Sequence, residues 1–211
     1  MIITHDRKEY RDIWDYLQMT IPEKLKIHSH TSILERCALY DLALKLPPGS
    51  DIFELGTHLG ATACVLGLAA GKNKLHVNCV DTFDSRAMNG KEPLIDTSSA
   101  WIENTGWDKN NICVFSMTTG HAAHKVKEDI SEYQIRMIFF DADHSYEGIA
   151  GDIKAWLPLC MKGATLAFHD YGGRYGRPAI QKAVQELIWP VQDGPGHVFQ
   201  SLYWCTLGGA K

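Results

Sequence analysis

The chain has 211 residues, 45% apolar and 22% charged, with 21 Lys+Arg against 25 Asp+Glu and a formal charge of -4. That composition suits one globular domain, and no apolar run approaches the roughly 20 residues that cross a bilayer, so a membrane span is excluded. With no long basic run to displace counterions from a phosphate backbone, nucleic acid is not an expected partner, and a small molecule is.

Residues 1–16 mix charges with aromatics and lack a basic start followed by an apolar stretch, so a cytoplasmic chain is expected. The six cysteines (37, 64, 79, 113, 160 and 205) show no C-x-x-C and read as reduced thiols. Residues 1–50 read as an N-terminal helical segment packed on the core, with Ile33–Leu44 in helical period and closed by Pro47-Pro48-Gly49. Residues 51–211 read as the main part of what is a single domain overall. Strands are expected at Asp51–Leu55, Leu75–Asp81, Asn111–Ser116, Ile135–Asp141 and Ala164–His169, with late strand material in His197–Leu207. Between them fall an apolar helix at Ala61–Ala70 and a helix carrying Ile149, Ile153, Trp156 and Leu157 on one face, ended by Pro158. Residues 82–110, with Gly90, Pro93, Asn104 and Gly106, read as a loop suited to a substrate lid with a short helix at Ser99–Asn104. The alternation predicts an α/β fold: a Rossmann-like, doubly wound, mostly parallel sheet with helices on both faces and a late antiparallel strand.

Two stretches carry chemistry. In Ile52-Phe-Glu-Leu-Gly-Thr-His-Leu-Gly-Ala-Thr62 a buried strand passes through a glycine turn into a helix. The spacing is G-x-x-x-G rather than the G-x-G-x-x-G of dinucleotide folds. Gly56 can adopt a backbone conformation closed to other residues, and Gly60 lets a ligand approach the helix start. Asp81 ends the next strand, where an acidic side chain can accept hydrogen bonds from ribose hydroxyls. The second stretch, Phe139-Phe-Asp-Ala-Asp-His-Ser-Tyr-Glu-Gly148, is followed by Phe168-His-Asp-Tyr171. It places Asp141 and Asp170 at the ends of strands that would be neighbours, about 4.8 Å apart, so that their oxygens could converge on Mg²⁺ or another divalent cation.

The E-x-G-x-x-x-G turn resembles the first motif of class I S-adenosylmethionine-dependent methyltransferases. D-x-D-H-S-Y-E-G, D-I-x-x-W-L-P and H-D-Y together resemble the metal-associated small-molecule O-methyltransferases grouped with macrocin- and novobiocin-pathway enzymes. That resemblance, over about residues 30–175, implies methyl transfer from S-adenosylmethionine to a hydroxyl of a sugar or other small-molecule acceptor. It places Glu54, Gly56, Thr57, His58, Gly60, Thr62, Asp81 and Asp141 at the cofactor. Asp141, His169 and Asp170 would be metal ligands, and Asp143, His144 or His169 the catalytic base. Met161-Lys-Gly-Ala164 stands where the family usually has Pro-Gly-Gly, and His169-Asp170 where several members have Asp-Asp. An imidazole in place of a carboxylate shifts preference away from Mg²⁺ and leaves open a metal-free mechanism with His169 as base.

Other histidines, at His28-Ser-His30 and His121-Ala-Ala-His124, fit no zinc pattern and read as surface or capping residues. Trp101 and Trp107 could line a substrate pocket, and Tyr171, Arg174, Tyr175 and Arg177 could grip a phosphate, carboxylate or sugar. A cephalosporin-hydroxylase-like oxidation on the same fold and a non-catalytic cofactor-binding module are the rival readings. A homo-oligomer is left open.

Overall fold

The computed structural model describes residues 1–85, 95–106, 111–172 and 176–208. The chain opens with strand β1 (Ile2–Thr4) and helices α1 (Arg11–Thr20), α2 (Pro22–Leu25) and α3 (Ile33–Leu44). Next come β2 (Asp51–Leu55), α4 (Ala61–Asn73), β3 (His76–Asp81), the short β4 (Asp84–Ser85) and β5 (Ile95–Asp96), and α5 (Ser98–Thr105). The second half runs β6 (Ile112–Ser116), α6 (Thr119–Glu128), β7 (Ile135–Phe140), α7 (Tyr146–Trp156), β8 (Thr165–Phe168), α8 (Pro178–Ala183), β9 (Gln192–Phe199) and β10 (Leu202–Leu207). Gly90, Pro93 and Trp107 of the expected lid, and Arg174 and Tyr175 of the basic loop, lie outside the described residues.

Among the described residues the main sheet has eight strands in the order β1-β9-β10-β8-β7-β2-β3-β6. Neighbours from β8 to β6 are parallel, and β10 runs antiparallel to both β8 and β9. The expected doubly wound sheet with a late antiparallel strand is therefore present. Strand alternation divides the core between its two faces. Ile52, Val77, Met137 and Phe139 pack with α1, α3 and α4, while Phe53, Leu55, Ile138 and Phe140 pack with α6, α7 and α8. All five residues of β2 are buried, as a central parallel strand covered on both faces requires.

The chain leaves β2 toward β3 on one side and later returns to β7 on the other. This reversal opens a crevice beyond the carboxyl ends of β2 and β7, where open α/β sheets bind ligands. It puts the glycine turn after β2 beside the acidic turn after β7.

Two elements differ from the sequence reading. The N-terminal segment, read as helical, also supplies β1, which pairs in parallel with Gly196–Val198 of β9. The late strand material divides into β9 and β10, joined at Gln200, which takes a left-handed φ of 55°. Gly194-Pro-Gly196 lies within β9, because the pairing with β1 begins only at Gly196 and Pro195 has no donor to lose there.

Candidate active site

A cavity of about 840 Å³ lies over the crevice, a size suited to small-molecule ligands. Its walls come from the segment before α3 (His28–Ser32) with Glu35, the turn after β2 (Gly56–Leu59) with Glu54, Ala61 and Thr62, the carboxyl ends of β7 and β8 (Asp141, His144, Asp170), and Gln200–Ser201. Arg7 and Arg177 stand at its edges.

Gly56 has φ 89°, and a Cβ there would run into the backbone of Asp141 and Ala142. Only glycine permits this approach of the two turns. Glu54 is buried beside it, accepting hydrogen bonds from Thr57 Oγ1 (2.7 Å) and Cys79 Sγ (3.4 Å). Burial pushes its carboxyl pKa up to about 8; the Thr57 bond offsets part of this, and Asp141 and Asp81 add to it. Glu54 is thus a neutral acid at pH 7, poised to ionise when a cation arrives. His58 (φ 50°) faces the cavity, where burial and His30 lower its pKa.

At the opposite wall four side chains meet. His144 Nε2 lies 3.3 Å from Asp141 Oδ1 and 3.4 Å from Asp170 Oδ2. His169 Nδ1 lies 3.0 Å from Asp141 Oδ1 and 3.5 Å from Asp170 Oδ1. The first of these is out of alignment for a hydrogen bond, so this buried nitrogen has no hydrogen-bond partner. Asp170 is held in a left-handed conformation (φ 55°) and accepts a 2.8 Å bond from Arg177 Nε. Burial opposes ionisation of Asp141, yet the imidazoles of His169 and His144 outweigh it and lower its pKa. The same contacts, with Glu35, raise the pKa of His169 against the effect of burial.

One atom from each of Asp141, His144 and His169 lies within 4.8 Å of the others, a spacing that a metal ion could bridge. The sequence reading had Asp141, His169 and Asp170 as the ligand set; His144 lies within reach of the same space, and the unpartnered Nδ1 of His169 faces it. An imidazole among carboxylate oxygens forms a donor set that suits Mn²⁺, Fe²⁺, Co²⁺ or Zn²⁺ better than Mg²⁺.

Several expected residues have other work. Asp143, expected as a candidate base, is exposed and is not among the described residues lining the cavity. It accepts the Ser145 N–H at 2.8 Å and lies against Gly148 at the start of α7. Gly60 is not among the described residues lining the cavity. With φ 82° it caps α4 and gives Trp101 and Thr105 of α5 the space that a Cβ would take. Trp101 is fully buried, its Nε1 donating to Thr57 Oγ1 (2.9 Å), so it braces the turn rather than lining a substrate pocket. Asp81 lies beside the cavity and accepts the backbone N–H groups of His58 and Phe83, each at 2.8 Å, holding the glycine turn against the end of β3.

Sequence reasoning missed Glu35 and Ser201; His28 and His30 are exposed, as read, and also line the cavity. Glu35 is marked only as the fourth residue of a capping box with Ser32, and its carboxylate indeed accepts the Ser32 N–H. His28 and His30 line the cavity with their rings 6.3 and 6.2 Å from that of His58, a meeting that no local pattern announces. His121 and His124 lie on α6, remote from the crevice, where His124 faces Glu128 at 3.6 Å.

A family model described as a methyltransferase domain matches residues 53–171, more than half of the chain, and the chain belongs to that family. Comparison with curated protein sequences gives no match. Among solved structures, the chain resembles CalS11, a TDP-rhamnose 3'-O-methyltransferase of calicheamicin biosynthesis, at 16% identity and a TM-score of 0.65 over 98% of both chains. It also resembles the O-methyltransferase TomG of Streptomyces achromogenes in complex with SAM (13% identity, TM-score 0.56, 97% of this chain and 100% of that one). The third is MycE of the mycinamycin pathway in complex with Mg and SAH (11% identity, TM-score 0.52, 97% and 55%). At such identities the likeness is one of fold. No helix among the described residues is long and apolar enough to cross a membrane.

Proposed function

We propose that this methyltransferase-family chain transfers the methyl group of S-adenosylmethionine to a hydroxyl of a sugar or other small molecule, with a divalent cation at Asp141, His169 and Asp170. The observation that carries this reading is the facing of the two turns. Gly56 brings the wall built from Glu54, Thr57, His58 and Thr62 against the backbone of Asp141, whose side chain belongs to the Asp–His cluster. The SAM named for TomG and the Mg and SAH named for MycE support it.

The donor supplies an electrophilic methyl group on a sulfonium, whose ammonium-bearing arm suits Glu54 and whose ribose suits Asp81. Glu54 ionises as it meets that positive charge. A cation held by the cluster, where the free Nδ1 of His169 fits it, would lower the pKa of an acceptor hydroxyl. His144, partly exposed and reaching the cavity, takes the hydroxyl proton at Nε2, and Asp141 and Asp170 stabilise the imidazolium that forms. The acceptor oxygen then bonds to the methyl carbon as the carbon–sulfur bond breaks, and S-adenosylhomocysteine leaves as a neutral thioether.

Calorimetry with S-adenosylhomocysteine, followed by a screen of glycoside and phenol acceptors with methyl-labelled donor, tests the reading. Expected are saturable binding and label in product, with turnover lost on chelation. Absence of binding at millimolar ligand would remove the cofactor assignment; a product heavier by oxygen rather than by a methylene would favour the hydroxylase reading. Turnover indifferent to chelators would leave His169 as a metal-free base.

A further inference from the structure

The cluster depends on a residue outside the matched motifs. Glu35 is buried on the first turn of α3, and its carboxylate is fully engaged: Oε2 accepts the Ser32 N–H at 2.9 Å, and Oε1 accepts both the N–H (2.9 Å) and the hydroxyl (2.5 Å) of Ser201. On its other side the Ser201 hydroxyl lies 3.4 Å from His169 Nε2, while Glu35 Oε2 is 3.7 Å from that nitrogen.

Proton counting fixes the direction of this chain. Ser201 has one hydroxyl proton and directs it to Glu35, so its oxygen can only accept from His169. An ionised carboxylate can likewise only accept. A lone pair on Nε2 would face two acceptors inside a buried site, which is costly; a proton there satisfies both. Nε2 therefore carries a proton, and Nδ1 is the atom turned to the space between Asp141 and Asp170.

We propose that Glu35, acting through Ser201, is a positioning residue of the active site: it anchors the His169 ring through an Nε2–H donor and so aims Nδ1 at the cluster. This rests on the functional reading above for what Nδ1 does there, but not for the arrangement itself. Carboxylates that orient histidines in this way sit behind many metal and catalytic sites, and losing them costs about 10–100-fold in affinity or activity.

The test uses the full chain labelled with ¹⁵N-histidine, saturated with S-adenosylhomocysteine. Wild type is expected to show a slowly exchanging imidazole proton on Nε2, assigned by its loss in His169→Asn. Ser201→Ala keeps the backbone N–H bond to Glu35 and the fold, but should abolish slow exchange of that proton and weaken Mn²⁺ binding, read by electron paramagnetic resonance, about 10–100-fold. Ser201→Thr restores the hydroxyl and should rescue both. Glu35→Gln should act like Ser201→Ala; if it unfolds, the serine pair still decides. A wild-type proton on Nδ1 alone, or a Ser201→Ala protein that retains the slow Nε2 proton, overturns the proposal. Loss of acceptor methylation with these signals intact would count against the functional reading and leave the positioning role standing.

Discussion

The α-carbon of Gly56 lies against the backbone of Asp141 so closely that one added carbon would run into the Asp141 carbonyl. The turn assigned to the methyl donor and the turn assigned to the chemistry are therefore one mechanical unit. Gly56→Ala must both adopt φ 89° and push β7 aside. A loss of about 2–4 kcal/mol in denaturant unfolding is expected, together with loss of S-adenosylhomocysteine binding by calorimetry.

Asp143 and His144 are adjacent in sequence, but of the two only His144 lines the cavity. His144→Asn should lower kcat by about 10²–10⁴, the range of general-base removal. Asp143→Asn should leave kcat within about threefold and act instead on the start of α7, costing about 0.5–1 kcal/mol in thermal unfolding, as loss of a turn or cap bond does. Steady-state kinetics on the two variants separates them.

Glu54 links pH to both stability and binding. Its folded pKa, near 8, stands above its ordinary value of 4.5, so the protein holds a proton that the unfolded chain releases between these limits. Its contribution to stability is full below about pH 4.5 and is lost as pH rises through 8. Melting curves of wild type between pH 6 and 9 should therefore fall more steeply than those of Glu54→Gln. Affinity for S-adenosylhomocysteine should rise with pH up to about 8 in wild type and stay flat in the variant.

The donor set of Asp141, His169 and Asp170 should discriminate among metals. Mn²⁺ and Co²⁺ are expected to bind more tightly than Mg²⁺, following ligand type and the order of divalent affinities. Asp141→Asn should abolish that binding. Competition titrations followed by paramagnetic resonance or calorimetry give the order directly.

Asp81→Asn keeps the size of the side chain but can place an NH₂ against a backbone N–H of His58 or Phe83. Looser glycine-turn geometry and weaker S-adenosylhomocysteine binding are expected, with acceptor KM unchanged at saturating donor.

Much of this was readable in the sequence where local patterns mark strand ends: Glu54-x-Gly56 and Asp141 follow buried runs whose period locates the crevice. Direction within a turn was not readable. Asp141 and Asp143 stand two residues apart, yet one joins the cluster and the other lies against the start of α7, a distinction set by a few backbone dihedrals. Glu35 and Ser201 were invisible for another reason: 166 residues separate them, and their bond arises only when the sheet is complete. Gly60 shows a third limit, since a conserved-looking spacing of glycines cannot tell close approach by a ligand from close approach by Trp101.

The place of β10 has a consequence for how the enzyme comes into being. It is the last strand of the described chain, yet it lies between β8 and β9, so the sheet cannot be finished by adding strands outward in order of synthesis. The gap must stay open until Leu202–Leu207 enters it, a long-range step of the kind that slows folding. Until then Ser201 has not met Glu35, and a nascent chain already carrying every matched motif would lack a seated His169.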